Sequence, residues 1–259
     1  MPLSLFAPLD ALLAPPPAPG RGSWLKVHRY AHRGLHGPDV IENSRAAFKA
    51  AIAGGFGIEL DVQASRDGEA FVFHDRDLDR LAETPGRLGA LQSPELDQIR
   101  LKGSDETIPR LSEILTLIDG RVPLLVEVKT GRRDIAPLCQ SVRRALSGVA
   151  GPVAIMSFDP AVPRWFAQNM PDMVRGLVVT EEGPTALPDR VRAGIGRHRD
   201  LWQARPDFLA YDVADLQSSF VQAQRRRGFP ILSWTIRSPA EHEKVAAYAD
   251  APIFEVEAP

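Results

Sequence analysis

The feature that most constrains this chain is an alternation. Short β-branched or aliphatic runs recur along it, separated by longer segments whose apolar residues repeat with helical period. Eight runs read as strands: Arg29–Ala31, Gly57–Val62, Leu124–Val128, Val153–Met156, Gly176–Val179, Phe208–Tyr211, Ile231–Thr235 and Ala251–Phe254. Between them, Ser44 is placed to cap a helix with an apolar face of Ala47, Phe48, Ala51 and Ile52. Leu111, Ile114, Leu115 and Ile118 make a second such face, and Ile135, Leu138, Val142, Ala145 and Leu146 a third. Ser238-Pro239-Ala240-Glu241 spells a capping box with Pro at the first helical position. Gly228 after three arginines, Arg225 to Arg227, marks a helix C-terminus. Eight strands in 259 residues is roughly 32 residues per βα unit, so the predicted fold is an α/β (β/α)8 TIM barrel. Strands apolar on both faces fit a parallel sheet covered by helices.

The rhythm breaks once, after the second strand. Arg66-Asp67-Gly68-Glu69 reads as a tight turn, and Ala70-Phe71-Val72-Phe73 as an extra strand ending at His74-Asp75. The turn-rich, polar residues 75–110 read as a small insertion. The expected organisation is therefore an N-terminal extended arm over residues 1–26 and a single barrel domain over 27–259. The arm is apolar and Pro-rich, but it has no Lys or Arg before its apolar run. Asp10 interrupts that run, and Pro15-Pro16-Pro17 would break a signal-peptide helix. A cytoplasmic protein is the expectation.

Thirty-one Lys and Arg against 33 Asp and Glu leave a net charge of -2, with no bulk attraction for nucleic acid or an anionic membrane. A lone cysteine, Cys139, excludes an internal disulfide framework and a Cys-rich zinc site. No run of about 18 apolar residues offers a membrane-spanning helix. The partner to expect is a small molecule.

In a (β/α)8 barrel the chemistry is built at the C-terminal ends of the strands. The first strand ends in His32-Arg33-Gly34, residues that taken singly would be a hydrogen-bonded loop histidine, a surface cation and a turn glycine. In the second strand, period-2 geometry points Glu59 and Asp61 to one face. In the third it does the same for Glu127 and Lys129. Internal ion pairs are one account of these charges. Three carboxylates on two adjacent strands are better explained by a hard divalent ion, Mg²⁺ or Ca²⁺, with open positions for substrate oxygens. With His32, His74 at the end of the extra strand offers an acid and a base near neutral pH. His28, His36, His198 and His242 lack such placement and read as structural or surface residues. Three carboxylates, a divalent ion, Arg33 and Lys129 leave one net positive charge, suited to a monoanionic phosphodiester.

These residues, with Glu42-Asn43-Ser44, Asp67-Gly68, Leu78-Asp79-Arg80, Ile108-Pro109-Arg110-Leu111, Ser157-Phe158 and Ser233-Trp234-Thr235, resemble the glycerophosphodiester phosphodiesterases, in family order over residues 30–236. The resemblance implies metal-dependent hydrolysis of a glycerophosphodiester to sn-glycerol 3-phosphate and an alcohol, through a cyclic phosphate. It implies His32 and His74 as the acid/base pair, Glu59, Asp61 and Glu127 as metal ligands, and Arg33 and Lys129 as phosphate contacts. Glu42 is expected to bind metal or orient Arg33, and Phe158 and Trp234 to wall the glycerol side of the pocket or to pack in the core. Three departures stand out. Ser44 replaces a frequent Thr, Arg80-Leu81-Ala82-Glu83 lacks the usual Thr pair, and Ile253-Phe254-Glu255-Val256 stands where many members have Thr-Asp-x-Pro.

Three rival readings remain. A lysophospholipase D or phospholipase C-like enzyme acting on lipids would need a membrane-facing apolar rim, for which no basic amphipathic stretch argues. A non-catalytic binding barrel would be expected to lack a histidine or a metal carboxylate. A sugar-phosphate isomerase or aldolase of the same fold would have no use for this combination.

Overall fold

The aliphatic runs form nine strands in the computed structural model, which describes residues 6–130, 134–181 and 187–256, the side chains of 187–190 excepted. They are β1 (Tyr30–Ala31), β2 (Gly57–Ala64), β3 (Ala70–Val72), β4 (Leu124–Val128), β5 (Val153–Ser157), β6 (Val174–Val179), β7 (Phe208–Asp212), β8 (Ile231–Ile236) and β9 (Ala251–Phe254). Eight belong to a (β/α)8 barrel, and β3 is the extra strand. Helices alternate with the barrel strands, as the sequence periodicity predicts. The chain divides into two compact units, His28–Ala154 with the stretch from Phe254, and Ile155–Ile253 with the residues up to Val27.

In the first unit β2 is the central strand. It pairs in parallel with β1 and β4 and antiparallel with β3. Its residues and those of β4 are almost all buried, as expected of strands covered on both faces. The turn into β3 forms as predicted, with Gly68 at φ 88° and its N–H donated to Ser65 O at 3.1 Å. Ser44 caps the helix Arg45–Ala53 by accepting from Ala47 N, and Ala47, Phe48 and Ala51 are its buried face. Leu111, Ile114, Leu115 and Ile118 are the buried face of helix Leu111–Ile118. The segment between β3 and that helix holds a 3-10 turn (Leu88–Ala90) and a single helical turn (Ser93–Leu96). It carries its own apolar cluster, in which Leu78, Leu88, Leu96 and Leu101 pack with Phe71 and Phe73.

In the second unit β6, β7 and β8 pair in parallel, with Leu177 beside Leu209 and Leu209 beside Ile231. The predicted capping box forms at helix Pro239–Tyr248, where Ser238 and Glu241 exchange hydrogen bonds. Gly228, at φ 99°, follows the end of helix Ser219–Arg226 as expected.

The N-terminal stretch departs from the extended arm expected over 1–26. Residues Ala7–Leu13 are an α-helix with Pro near its start, while positions 1–5 lie outside the described residues. The reason is Asp10, which is buried and accepts from Trp202 Nε1 at 2.8 Å and Gln224 Nε2 at 3.2 Å, with His198 Nδ1 at 2.8 Å. Those tertiary bonds hold a short helix that would be marginal alone, and the proline run then ends it. His198 is thereby a structural histidine. Among the described residues no helix is long and apolar enough to cross a membrane.

Candidate active site

Strand register builds the site. Asp61 and Glu127 are direct neighbours across the β2–β4 ladder, and Glu59 lies two residues back on the same face of β2. All three carboxylates are buried. One ligand oxygen from each lies within 4.8 Å of those of the other two. On the other side of β2, Ala31 pairs with Ile58, which carries His32 alongside Glu59 at an Nε2–Oε2 distance of 3.9 Å.

Two left-handed residues shape the loop after β1. Arg33 (φ 54°) turns its N–H onto Glu59 Oε2 at 3.0 Å and its Nε toward Asp61 Oδ2 at 3.2 Å. Asn43 (φ 56°) donates its N–H to Arg33 O at 2.9 Å. Its side chain donates to Asp61 Oδ2 at 3.0 Å and accepts from Asp61 N–H at 3.3 Å. Lys129 follows β4 and places Nζ 2.6 Å from Glu127 Oε1 and 3.1 Å from Asp61 Oδ1.

Each histidine is oriented by a carboxylate. His32 Nδ1 is 2.6 Å from Glu255 Oε1, and His36 Nε2 is 3.9 Å from the same oxygen. His74 Nδ1 is 2.7 Å from Asp75 Oδ1. Gln63 donates to the backbone carbonyl of His74 at 2.8 Å, fixing the exit of β3. Arg80, from the insertion, joins the two arms by donating to Asp75 Oδ2 at 2.6 Å and to both oxygens of Glu42 at 2.8 and 2.9 Å. Glu42 in turn accepts from Arg33 at 2.7 Å. Its carboxylate is committed to two guanidiniums and stands outside the acid trio.

Burial drives the electrostatics. Glu59 is pushed well above the usual carboxylate range by burial and by the charges of Asp61 and Glu127. Burial pushes Glu127 up to about 7, with Lys129 holding it back. Burial acts on Asp61 in the same sense, but Lys129, Arg33, His74 and His32 outweigh it and hold Asp61 low. Both imidazoles therefore lie within electrostatic reach of Asp61. Burial lowers His32, opposed by its bond to Glu255.

The cluster fits a hard divalent cation. It offers only oxygen donors, and among the described residues Glu59 Oε1 is buried without a hydrogen-bond partner, a costly arrangement unless a cation answers it. Eight predicted site residues thus fall in one neighbourhood: His32, Arg33, Glu42, Glu59, Asp61, His74, Glu127 and Lys129. In the second unit Phe158, just past β5, and Trp234, in β8, meet edge to face at 5.5 Å. Five residues with a part in this geometry carry no role read from the sequence: Asn43, Gln63, Asp75, Arg80 and Glu255. Three sit inside the quoted motifs, next to or near an assigned residue. Glu255 sits where the family pattern is broken.

Fold and site together define a (β/α)8-barrel protein with a cation-ready acid cluster, two fixed cations and two carboxylate-oriented imidazoles at its strand ends. The chain belongs to the glycerophosphoryl diester phosphodiesterase family, which matches residues 32–254. It is 38% identical over 115 residues to a glycerophosphodiester phosphodiesterase of Caldanaerobacter subterraneus, an overlap of 41% of this chain and 47% of that one. It is 34% identical over 125 residues to a probable glycerophosphodiester phosphodiesterase 2 of Mycobacterium tuberculosis, 46% of each chain. The chain thus spans about half the length of these curated relatives. Among solved structures, a phosphodiesterase of Oleispira antarctica in complex with the product sn-glycerol 3-phosphate superposes with a TM-score of 0.75 at 24% identity, covering 89% of this chain and 94% of that one.

Proposed function

We propose that the protein hydrolyses small glycerophosphodiesters to sn-glycerol 3-phosphate and an alcohol, with Mg²⁺ or Ca²⁺ held by Glu59, Asp61 and Glu127. The observation that carries this reading is the buried acid trio, with His32 Nε2 3.9 Å from Glu59 Oε2. The product found in the Oleispira antarctica structure supports the same outcome here.

The bound ion would supply Lewis-acid stabilisation of charge on the phosphoryl oxygens. Arg33 and Lys129, held by Glu42, Asp61 and Glu127, add fixed positive charge beside it. Because Glu255 occupies Nδ1 of His32, Nε2 is the nitrogen that faces the acid cluster. Asp75 does the same for His74, whose Nε2 has no partner among the described residues. One imidazole takes the proton of the substrate's glycerol 2-hydroxyl as that oxygen attacks phosphorus. The other gives a proton to the departing alcohol oxygen. Water then opens the five-membered cyclic phosphate, the two imidazoles exchanging roles.

The test is release of sn-glycerol 3-phosphate from glycerophosphoethanolamine and glycerophosphocholine with Mg²⁺ or Ca²⁺ present. The expected result is turnover that falls about 10²–10⁴-fold in His32→Ala and in His74→Ala. Wild-type turnover in His32→Ala would overturn the acid/base assignment. Faster cleavage of lysophospholipid vesicles than of either soluble diester would overturn the substrate assignment in favour of a lipid.

A further inference from the structure

A cavity of about 360 Å³ lies beside Lys129, lined by the end of β2 and by the insertion. Its size suits a small organic head group. Lys129 lines it, so the cavity shares a wall with the acids that the same ammonium contacts. Gln63 and Ala64, at the end of β2, form part of the lining, and the insertion contributes Arg76 and Arg87.

The charge balance of the cavity is positive. Arg76 is exposed and makes no ion pair with any described residue. Arg87 meets Asp77 at 3.7 Å, with both side chains more than 60% exposed, and a pair of that kind gives up little when a ligand displaces it. The carboxylate on the wall, Asp134, has one oxygen committed to Ala136 N–H at 3.0 Å. The two arginines are carried on a braced backbone. Leu78 N–H bonds to Gly86 O at 2.7 Å and Leu88 N–H to Arg76 O at 3.1 Å, and Asp77 and Arg87 form a β-bridge. Leu78 and Leu88 are fully buried in the insertion's own core. Guanidiniums match a pair of oxygens on a carboxylate or phosphate with two parallel N–H bonds.

We propose that this cavity receives the departing head group, and that Arg76 and Arg87 select head groups bearing an additional anion, a carboxylate or a phosphate. The proposal rests on the phosphodiesterase reading for its site and adds the substrate class.

The experiment compares kcat/KM for glycerophosphoserine and glycerophosphoinositol 4-phosphate with that for glycerophosphocholine. It also measures binding of myo-inositol 4-phosphate by calorimetry, which needs no turnover. The expected result is a preference for one or both anionic substrates, and the two separate a carboxylate source from a phosphate source. That preference falls at least tenfold in Arg76→Gln/Arg87→Gln and shifts toward choline in Arg87→Glu, and myo-inositol 4-phosphate binding weakens at least tenfold in the double variant. Equal handling of charged and choline substrates by the wild-type protein, or an unchanged preference in the double variant, overturns the head-group assignment while leaving the activity standing. Arginine-dependent binding of myo-inositol 4-phosphate by a protein that cleaves none of the diesters overturns the activity and supports the cavity's anion selectivity.

Discussion

Glu255 holds the imidazole of His32, with Oε1 2.6 Å from Nδ1, although 223 positions separate them in the chain. A carboxylate so placed fixes the ring's tautomer and leaves Nε2 to face Glu59. Glu255→Gln keeps the shape and removes the charge. The expected effect is a fall in kcat of at least tenfold with KM little changed, and Glu255→Asp should recover part of it. Steady-state kinetics on a soluble glycerophosphodiester checks this. A change confined to KM would count against an orienting role.

Gly34 follows His32-Arg33 at φ 78°, a conformation that L side chains rarely adopt. A Cβ there would stand 2.8 Å from Ala47 Cβ and 2.9 Å from the Ala47 carbonyl carbon. Strain and overlap act together, so Gly34→Ala should destabilise the fold by about 2 kcal/mol or more. Denaturant unfolding measures it, and a variant of unchanged stability would refute the close approach of loop and helix.

Asp10 anchors the N-terminal helix. Burial alone would raise its pKa, but hydrogen bonds from His198, Trp202 and Gln224 outweigh burial and lower it below its ordinary value of 3.8. A folded-state value below the unfolded one means that the stabilisation is full above the ordinary value and drains away as the pH falls through it. Asp10→Asn should cost about 2 kcal/mol at neutral pH and less in acid. Thermal melts at pH 7 and pH 3 check the sign, and an equal loss at both would contradict it.

The acid trio carries protons that a metal must displace. Burial pushes Glu127 up to about 7 and Glu59 well above the usual carboxylate range, so in the metal-free protein these carboxyls take up protons at higher pH than free carboxylates do. Cation affinity should therefore weaken as the pH falls through 7, and binding at pH 6.5 should release protons. Calorimetry in buffers of different ionisation enthalpy counts them. A release of zero would mean that the carboxylates are already ionised.

The barrel was legible because its strands are short aliphatic runs and its helices carry clear stripes, Leu111 to Ile118 being the plainest. The site was half legible for the same reason. Period-2 alternation alone puts Glu59 with Asp61, and β2–β4 register then sets Asp61 against Glu127. What could not be read depends on tertiary partners. Helix Ala7–Leu13 lies just before a proline run and owes its anchoring to His198, Trp202 and Gln224, nearly 200 positions away and more. Asn43 acts through a loop reversal, and Arg80 through contacts that the predicted insertion makes only in the fold. In the sequence Glu255 is legible only as a departure from the family's ending; its partnership with His32 depends on the fold.

If Glu59, Asp61 and Glu127 hold a divalent cation on which hydrolysis depends, ion binding and turnover must rise together. The most direct measurement titrates Mg²⁺ or Ca²⁺ into chelator-stripped protein while following both heat and glycerophosphodiester turnover. One ion per chain is expected, with activity that returns in step with occupancy and a loss of both in Glu59→Gln. Full turnover by the stripped protein in excess chelator would contradict it.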